Sequence, residues 1–134
     1  MGKIVVSGKQ EGYRGVSLEE LKKMDIREFA KLLKSRERRS VVRNYDVILE
    51  FIKRSEKKIA KNKIPKTHTR EMVIVPAFVG WTIGVHNGKD FIQVQVTDAM
   101  IGRRLGEYSL TRKIIKHGSA GVGATKGSAS LSVK

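Results

Sequence analysis

Charge is distributed unevenly along this sequence, and the unevenness limits where a core can form. The chain has 28 Lys and Arg against 13 Asp and Glu, a net charge of +15 at pH 7. Residues 53–70 contain eight basic residues and one acidic residue, and residues 99–134 contain seven and one, whereas residues 71–98 contain one and three. Because like charges repel when a chain becomes compact, we expect the core to form around the near-neutral stretch 71–98.

The same stretch contains the strand signals. Residues 72–76 are a short β-branched run, residues 81–86 are a second apolar run, and residues 91–96 alternate between apolar and polar side chains. Between the last two stands Asn87-Gly88, which favours a type I′ hairpin because both central residues of that turn need positive φ. Residues 72–96 are therefore predicted to form a small antiparallel sheet.

Helices are predicted before the sheet. Ser17 with Glu20, and Asp25 with Glu28, have the spacing of a capping box, in which two side chains satisfy the free backbone donors of a helix start. An apolar stripe at helical spacing follows each pair and predicts two short helices. A third helix is predicted from about Asp46 to Ala60.

These patterns predict one α+β domain with three regions. Residues 1–70 are a basic helical region, and residues 71–112 are the sheet core with a short helix of about two turns capped by Asp98. Residues 113–134 are an extended, Gly-rich basic tail that we expect to become ordered on a partner. The predicted architecture is a small antiparallel or mixed β-sheet with a central hairpin, flanked by short helices.

Missing residues exclude several kinds of chemistry. The chain has no cysteine, which removes disulfides, Cys-based zinc sites, iron–sulfur clusters and thiol nucleophiles, and favours the cytosol. His68, His86 and His117 lie in three separate segments without a ligand or triad partner at the required spacing. The run of about 18 apolar residues that a membrane helix requires is absent. We expect no enzyme, no cofactor, no metal, no membrane partner and no small-molecule substrate.

Nucleic acid is the partner that the charge predicts. Lys and Arg cluster within residues 36–43, 53–70 and 103–116. Arginine pairs bidentately with phosphate oxygens and lysine adds a mobile charge, so such clusters hold a nucleic-acid backbone without reading its sequence. A solvated surface without a partner is the alternative, particularly for the run from Lys53 to Lys63.

Aromatic side chains give little support for base stacking. They make up 6% of the chain, and the strands lack the paired-aromatic pattern of single-stranded RNA platforms. Phe78, Trp81 and Phe91 flank the apolar hairpin and are predicted core residues. We therefore expect recognition of folded nucleic acid through its shape and phosphates.

A pattern of fixed residues begins at the hairpin. From Asn87 the chain reads Asn-Gly-Lys, six residues, Val96, four residues, Ile101-Gly102, two residues, Leu105-Gly106-Glu107-Tyr108, two residues and Thr111. This pattern resembles that of the universal small-subunit ribosomal protein S-nineteen family, called S-fifteen-e in eukaryotes. Residues 64–72 and 111–118 extend the resemblance, and residues 13–21 and 121–125 resemble the archaeal and eukaryotic branch.

The resemblance implies a structural component of the small-subunit head in the cytoplasmic ribosome. It implies binding to small-subunit rRNA, a neighbouring head protein of the S-thirteen family, and a C-terminal tail that reaches toward the decoding region and its tRNAs. It implies neither catalysis nor a cofactor. The family usually has His and an aromatic residue where Arg103 and Arg104 stand, and Phe at Tyr108.

Eleven residues are expected to contact rRNA, by neutralising phosphate charge and fitting the shape of the RNA. They are Lys66, His68, Arg70, Lys89, Arg103, Arg104, Arg112, Lys113, Lys116, His117 and Lys126. Glu107 is expected to hold a local charge pair instead.

Two other functions stay open at this stage. The basic composition also suits a free-standing architectural protein on DNA. A small RNA-processing enzyme would need a titrating cluster assembled from distant residues such as His68, His117 and Glu107.

Overall fold

The computed structural model of the chain describes residues 12–116 together with Gly118. Residues 1–11, His117 and residues 119–134, which include most of the predicted tail and Lys126, lie outside the described residues. The described part is an α+β fold, as predicted. Its strands are β1 (Gly12–Tyr13), β2 (Val16–Ser17), β3 (Lys66–Thr67), β4 (Thr82–His86) and β5 (Phe91–Gln95). Its α-helices are α1 (Leu18–Lys23), α2 (Ile26–Leu32), α3 (Ser35–Arg43) and α4 (Tyr45–Ile59), and short 3₁₀ helices cover Pro76–Phe78, Asp98–Met100 and Leu105–Tyr108.

The predicted central hairpin is present, but its turn differs from the prediction. Strands β4 and β5 pair antiparallel from Thr82↔Gln95 to His86↔Phe91, which leaves a four-residue loop. Asn87 Oδ1 accepts hydrogen bonds from the backbone N–H groups of Lys89, at 2.9 Å, and Asp90, at 2.7 Å. Gly88 has a φ of 106°, whereas Asn87 has no positive φ, so the predicted type I′ turn is wrong.

The third strand of this sheet is β3, not the predicted run 72–76. Strand β3 pairs parallel to β4, and β1 and β2 form a separate two-stranded ribbon. Residues 72–75 instead run along the loop after the sheet, where Ile74 N–H donates to the Arg103 carbonyl at 2.8 Å and Gly102 N–H donates to the Ile74 carbonyl at 3.0 Å. Their side chains are at most 4% exposed. The run is apolar because it crosses the core.

The predicted helices are present, and one of the two predicted capping boxes is confirmed. Ser17 Oγ accepts from Glu20 N–H at 3.4 Å and Ser17 N–H donates to the Glu20 carboxylate at 3.3 Å, which confirms the first capping box. Asp25 precedes α2 but caps no backbone donor. Its carboxylate accepts from the Tyr45 hydroxyl at 3.5 Å, so the second capping box was wrong. Helix α4 lies one residue earlier than predicted.

In place of the helix expected at Asp98 there are two 3₁₀ turns, which residues 101–104 separate. Thr97 is the cap residue of the first turn, and Gly102 follows it with a φ of 80°. A Cβ at Gly102 would lie 2.8 Å from the Tyr13 hydroxyl oxygen and 3.0 Å from Leu33 Cδ2. The loop therefore packs tightly against the β1–β2 ribbon, and a continuous helix is not possible there.

The core lies between the helices and the inner face of the three-stranded sheet. Phe78 is fully buried and meets Phe51 edge to face at 5.6 Å between ring centroids, and half-buried Trp81 packs on it at 5.7 Å. These positions agree with the predicted core. Phe91 is different: it is half-buried and lies outside the core cluster, on the opposite face of the sheet.

Candidate nucleic-acid interface

The outer face of the three-stranded sheet carries an unusual set of side chains. Residues paired across neighbouring strands point to the same face. Thr67 pairs with Val85 on the buried inner face, whereas Lys66 pairs with Gly84 on the outer face. The outer-face residues, in strand order, are Lys66, His68, Thr82, Gly84, His86, Phe91, Gln93 and Gln95. This face has no acidic and no aliphatic side chain.

Three rings on this face form a compact cluster at one end of the sheet. His68, the residue that follows β3, lies beside His86 of β4 and Phe91 of β5. Their ring centroids are 4.4 Å apart for His68 and His86, 5.0 Å for His68 and Phe91, and 4.9 Å for His86 and Phe91. Lys66 Nζ lies 5.1 Å from the centroid of the Phe91 ring. We call these three rings the ring cluster.

A local hydrogen bond holds the His86 imidazole, and another shapes the backbone turn at His68. Thr69 N–H donates to Thr67 Oγ1 at 3.1 Å across a tight turn, and His68 is the residue at the apex of that turn. Gly88 N–H donates to His86 Nδ1 at 3.1 Å, which leaves Nε2 as the ring nitrogen that carries the proton. Phe91 is fixed by its backbone pairing with His86.

Arg70, one of the expected rRNA contacts, is turned into the protein. One terminal nitrogen of its guanidinium donates to the His86 carbonyl and, at 3.2 Å, to Ser109 Oγ. The other donates to the Gly106 carbonyl, at 3.0 Å, and to the Ser109 carbonyl. Ser109 is fully buried, and its hydroxyl donates to the Val85 carbonyl at 3.3 Å. Arg70 therefore fastens residues 106–109 to the end of β4, and we call this arrangement the arginine clip.

A glycine permits the arginine clip. Gly106 N–H donates to the Arg70 carbonyl at 2.8 Å. A Cβ on Gly106 would lie 3.0 Å from both the carbonyl oxygen and the Cβ of Arg70, so a side chain there would push the two segments apart. Close packing against Arg70 therefore requires a glycine at this position of the Leu-Gly-Glu-Tyr motif.

Arg103 and Arg104 lie in the loop that runs beside residues 72–75. Arg103 is exposed and forms an ion pair of 3.8 Å with Glu107, as expected for Glu107. The Glu107 carboxylate also accepts from the Arg104 backbone N–H at 3.1 Å. Burial raises the pKa of the neighbouring Tyr108 phenol, the Arg103 charge opposes that rise, and the Glu107 charge adds to it. Because both side chains of the ion pair are about half exposed or more, the pair itself contributes little stability.

After the arginine clip, the chain continues as an exposed segment. Residues 110–116 are all exposed and include Arg112, Lys113 and Lys116. Since Ser109 is bonded to the end of β4, this segment starts next to the ring cluster. The structure thus brings together Lys66, His68, Lys89 and the start of the basic segment at one end of the sheet, while Arg103 and Arg104 lie elsewhere. His117 and Lys126 are outside the described residues.

Helix α3 adds basic residues that sequence reasoning named without assigning them to a helix. Arg36, Arg38, Arg39 and Arg43 are all exposed on α3, and Val41 is its one buried residue. Its cap residue, Lys34, offers no side-chain cap bond. With neither a cap nor an apolar stripe, the sequence carried no recognisable helix signal.

The described residues contain little that would compete with an anionic partner. Across residues 12–116, the Arg103–Glu107 contact is the one ion pair within 4.0 Å. No three His, Asp or Glu residues in this part of the chain are grouped so that they could hold a metal ion. None of the described helices is long and apolar enough to cross a membrane.

A small basic α+β domain whose cations mostly lack carboxylate partners belongs to the class of nucleic-acid-binding proteins. Comparison with known proteins gives the family. Residues 35–117 match the family model described as Ribosomal protein S19. The chain is 45% identical over 131 residues to small ribosomal subunit protein uS19 of Halorubrum lacusprofundi, covering 95% of this chain and 93% of the relative. It is 43% identical over 126 residues to the protein of the same name of Methanocella arvoryzae, covering 91% and 86%.

The chain therefore belongs to the S-nineteen family of ribosomal proteins, in its archaeal and eukaryotic branch. It is a structural ribosomal protein that acts in translation on the cytoplasmic ribosome, and it is not an enzyme. This family membership confirms the resemblance found in the sequence and removes the RNA-processing alternative.

Proposed function

We propose that this protein binds small-subunit rRNA in the head of the subunit through phosphate contacts. The observation that carries the proposal is the near absence of ion pairs among the described residues of so basic a chain. Cations without carboxylate partners are available to phosphates, and compaction of the charged surface is favoured when RNA supplies the counter-charge. Of the eleven expected contacts, the exposed cations Lys66, Lys89, Arg103, Arg112, Lys113 and Lys116 fit this role best. His68, Arg104, His117 and Lys126 are further rRNA contacts of the proposed set.

Arg70 has a different role in this proposal. All four N–H groups of its two terminal nitrogens have acceptors within the protein. We propose that Arg70 supports rRNA binding by holding the base of the exposed segment 110–116 at the end of the sheet. Removing it would weaken binding because the segment would have to be ordered on the RNA, while its cations could still reach phosphates.

The test is quantitative mass spectrometry of this protein across a sucrose gradient of native lysate, at low and high salt. Near one copy per small subunit, retained after the salt wash, is the expected result. Migration with free protein would contradict the proposal, and migration with DNA would favour a free-standing architectural protein. Cross-linking in the purified subunits is expected to join this chain to a head protein of the S-thirteen family.

The second part of the proposal concerns the tail. We propose that the residues beyond Arg112 reach toward the decoding region and its tRNAs. Residues 113–116 are exposed and make no core contact, so a chain that ends at Arg112 is expected to fold and enter subunits. Such subunits are expected to show altered tRNA binding. Loss of hydrogen-exchange protection in the core of the shortened chain, or unchanged tRNA binding, would contradict this part.

A further inference from the structure

The ring cluster has the features of a site for an unpaired base. His86 of β4, Phe91 of β5 and His68, which follows β3, lie together on a sheet face without acidic residues, and His68 at the edge is exposed. Stacking a base on such rings is favourable for every base, because each has a π-face.

We propose that His68, backed by His86 and Phe91, stacks one unpaired nucleobase of an RNA. This inference rests on the proposed rRNA binding and adds a contact to it that is not made to phosphate. Each strand taken singly lacks a stacking pattern, and this is why the sequence predicts no base stacking. The rings come from β4, β5 and the turn after β3, and they meet only when β3 pairs parallel to β4.

The cluster is arranged before any RNA arrives. The turn at Thr67–Thr69 fixes the backbone at His68, and the Gly88 bond orients the His86 ring. Gly84 has no side chain, so the Lys66 stem crosses β4 with its Cγ 3.1 Å from where a Cβ would stand, and its ammonium reaches the Phe91 ring. Rings that lose no rotamer freedom on binding keep more of the stacking energy. One face of Phe91 is covered by Lys66, which leaves the exposed His68 as the stacking surface.

Charges near the ring cluster suit the phosphates that flank a stacked base. Lys66 is exposed beside Phe91, and Lys89 is exposed in the loop that joins His86 to Phe91. The exposed Gln93 is paired with Gly84 on the same face, where its amide can hydrogen-bond a base edge. A base on the rings, phosphates on the lysines and an amide at the side form one site for a single nucleotide.

The test separates stacking from charge at His68. The full chain and three variants are titrated with a single-stranded hexa-adenylate and with a duplex RNA of similar length. His68→Phe keeps a ring, His68→Lys supplies a positive charge without a ring, and His68→Ala supplies neither. We expect His68→Phe to bind the single strand within about twofold of the unmodified chain, and the other two variants to bind it about tenfold more weakly. Duplex affinity is expected to be unchanged in all three, and Lys89→Ala is the control that weakens both RNAs.

Two results would overturn the stacking proposal. If His68→Lys retains single-strand binding while His68→Phe loses it, His68 contacts a phosphate. If all three variants bind within twofold of the unmodified chain, the rings only pack on one another. Failure of the proposed rRNA binding looks different, because duplex binding would then be weak and insensitive to salt in the unmodified chain as well.

Discussion

Residues 103–109 and residues 110–116 are adjacent segments that both contain basic and apolar side chains, yet they differ in burial. In the first, Leu105 and Ser109 are fully buried. In the second, Leu110, Ile114 and Ile115 are 74%, 96% and 74% exposed. The boundary between them is where the arginine clip ends. Arg70, which fastens the first segment, has its donors satisfied by acceptors within the protein, whereas the basic residues of the second segment face solvent.

The largest effect is expected from removing the arginine clip. Arg70→Ala leaves the buried Ser109 and three carbonyls without their donors, so the free energy of unfolding should fall by about 3 kcal/mol. Arg112→Ala, on the exposed side of the boundary, should change it by less than about 0.5 kcal/mol. Urea unfolding of both variants measures the contrast. Equal stability of the two would mean that the clip does not hold the fold together.

Arg70→Lys sharpens the same comparison. A single ammonium group has three donors and cannot reproduce the planar geometry of the guanidinium. We expect most of the stability lost in Arg70→Ala to be lost in Arg70→Lys too. Full recovery of stability by lysine would show that charge alone is what matters at this position.

The next effect concerns the loop that leads into the first segment. Gly102→Ala places a methyl group against the Tyr13 hydroxyl at a φ of 80°, and we expect a loss of about 2 kcal/mol. Gly88→Ala is a matched control, since Gly88 also has a positive φ but a Cβ there meets no atom within 4 Å. Its cost should be about 1 kcal/mol. Equal costs at the two glycines would contradict the close packing of the loop on the β1–β2 ribbon.

A smaller effect is expected from Tyr108, which belongs to the packed segment. Burial raises the pKa of its phenol above the ordinary value, so the folded protein holds this proton more tightly than the unfolded chain does. Its contribution to stability is therefore complete below the ordinary pKa and is lost as the pH rises through the raised value. Absorbance titration should show a late-ionising phenol that is missing in Tyr108→Phe. The same titration curve per tyrosine in both proteins would contradict this assignment.

The smallest effect is expected at the Arg103–Glu107 ion pair. Glu107→Gln keeps an acceptor for the Arg104 N–H and removes the charge, so the free energy of unfolding should change by less than about 0.5 kcal/mol. The change should become smaller still as salt is added. A large, salt-independent loss would place this pair with the arginine clip, among the contacts that hold the fold.

Local signals predicted much of this fold, and long-range contacts account for what was missed. The hairpin, α1, α2 and α4 were predicted because their patterns are contained in short windows. Residues 72–75 were read as a strand because a buried crossing segment and a buried strand have the same apolar composition. At the candidate interface, the composition correctly predicted that most Lys and Arg side chains would be exposed. It could not show that Arg70 meets four acceptors up to 39 residues away, or that Phe91 faces two histidines.

Salt dependence of binding to a small-subunit rRNA fragment tests the central claim most directly. For the unmodified chain we expect affinity to fall several hundredfold or more across a fourfold increase in salt, as for about six phosphate contacts. Arg112→Ala and Lys113→Ala should each reduce the slope of log affinity against log salt by about one, whereas Arg70→Lys should leave the slope unchanged. A flat salt response, or a reduced slope for Arg70→Lys alone, would contradict the division between clip and contact residues.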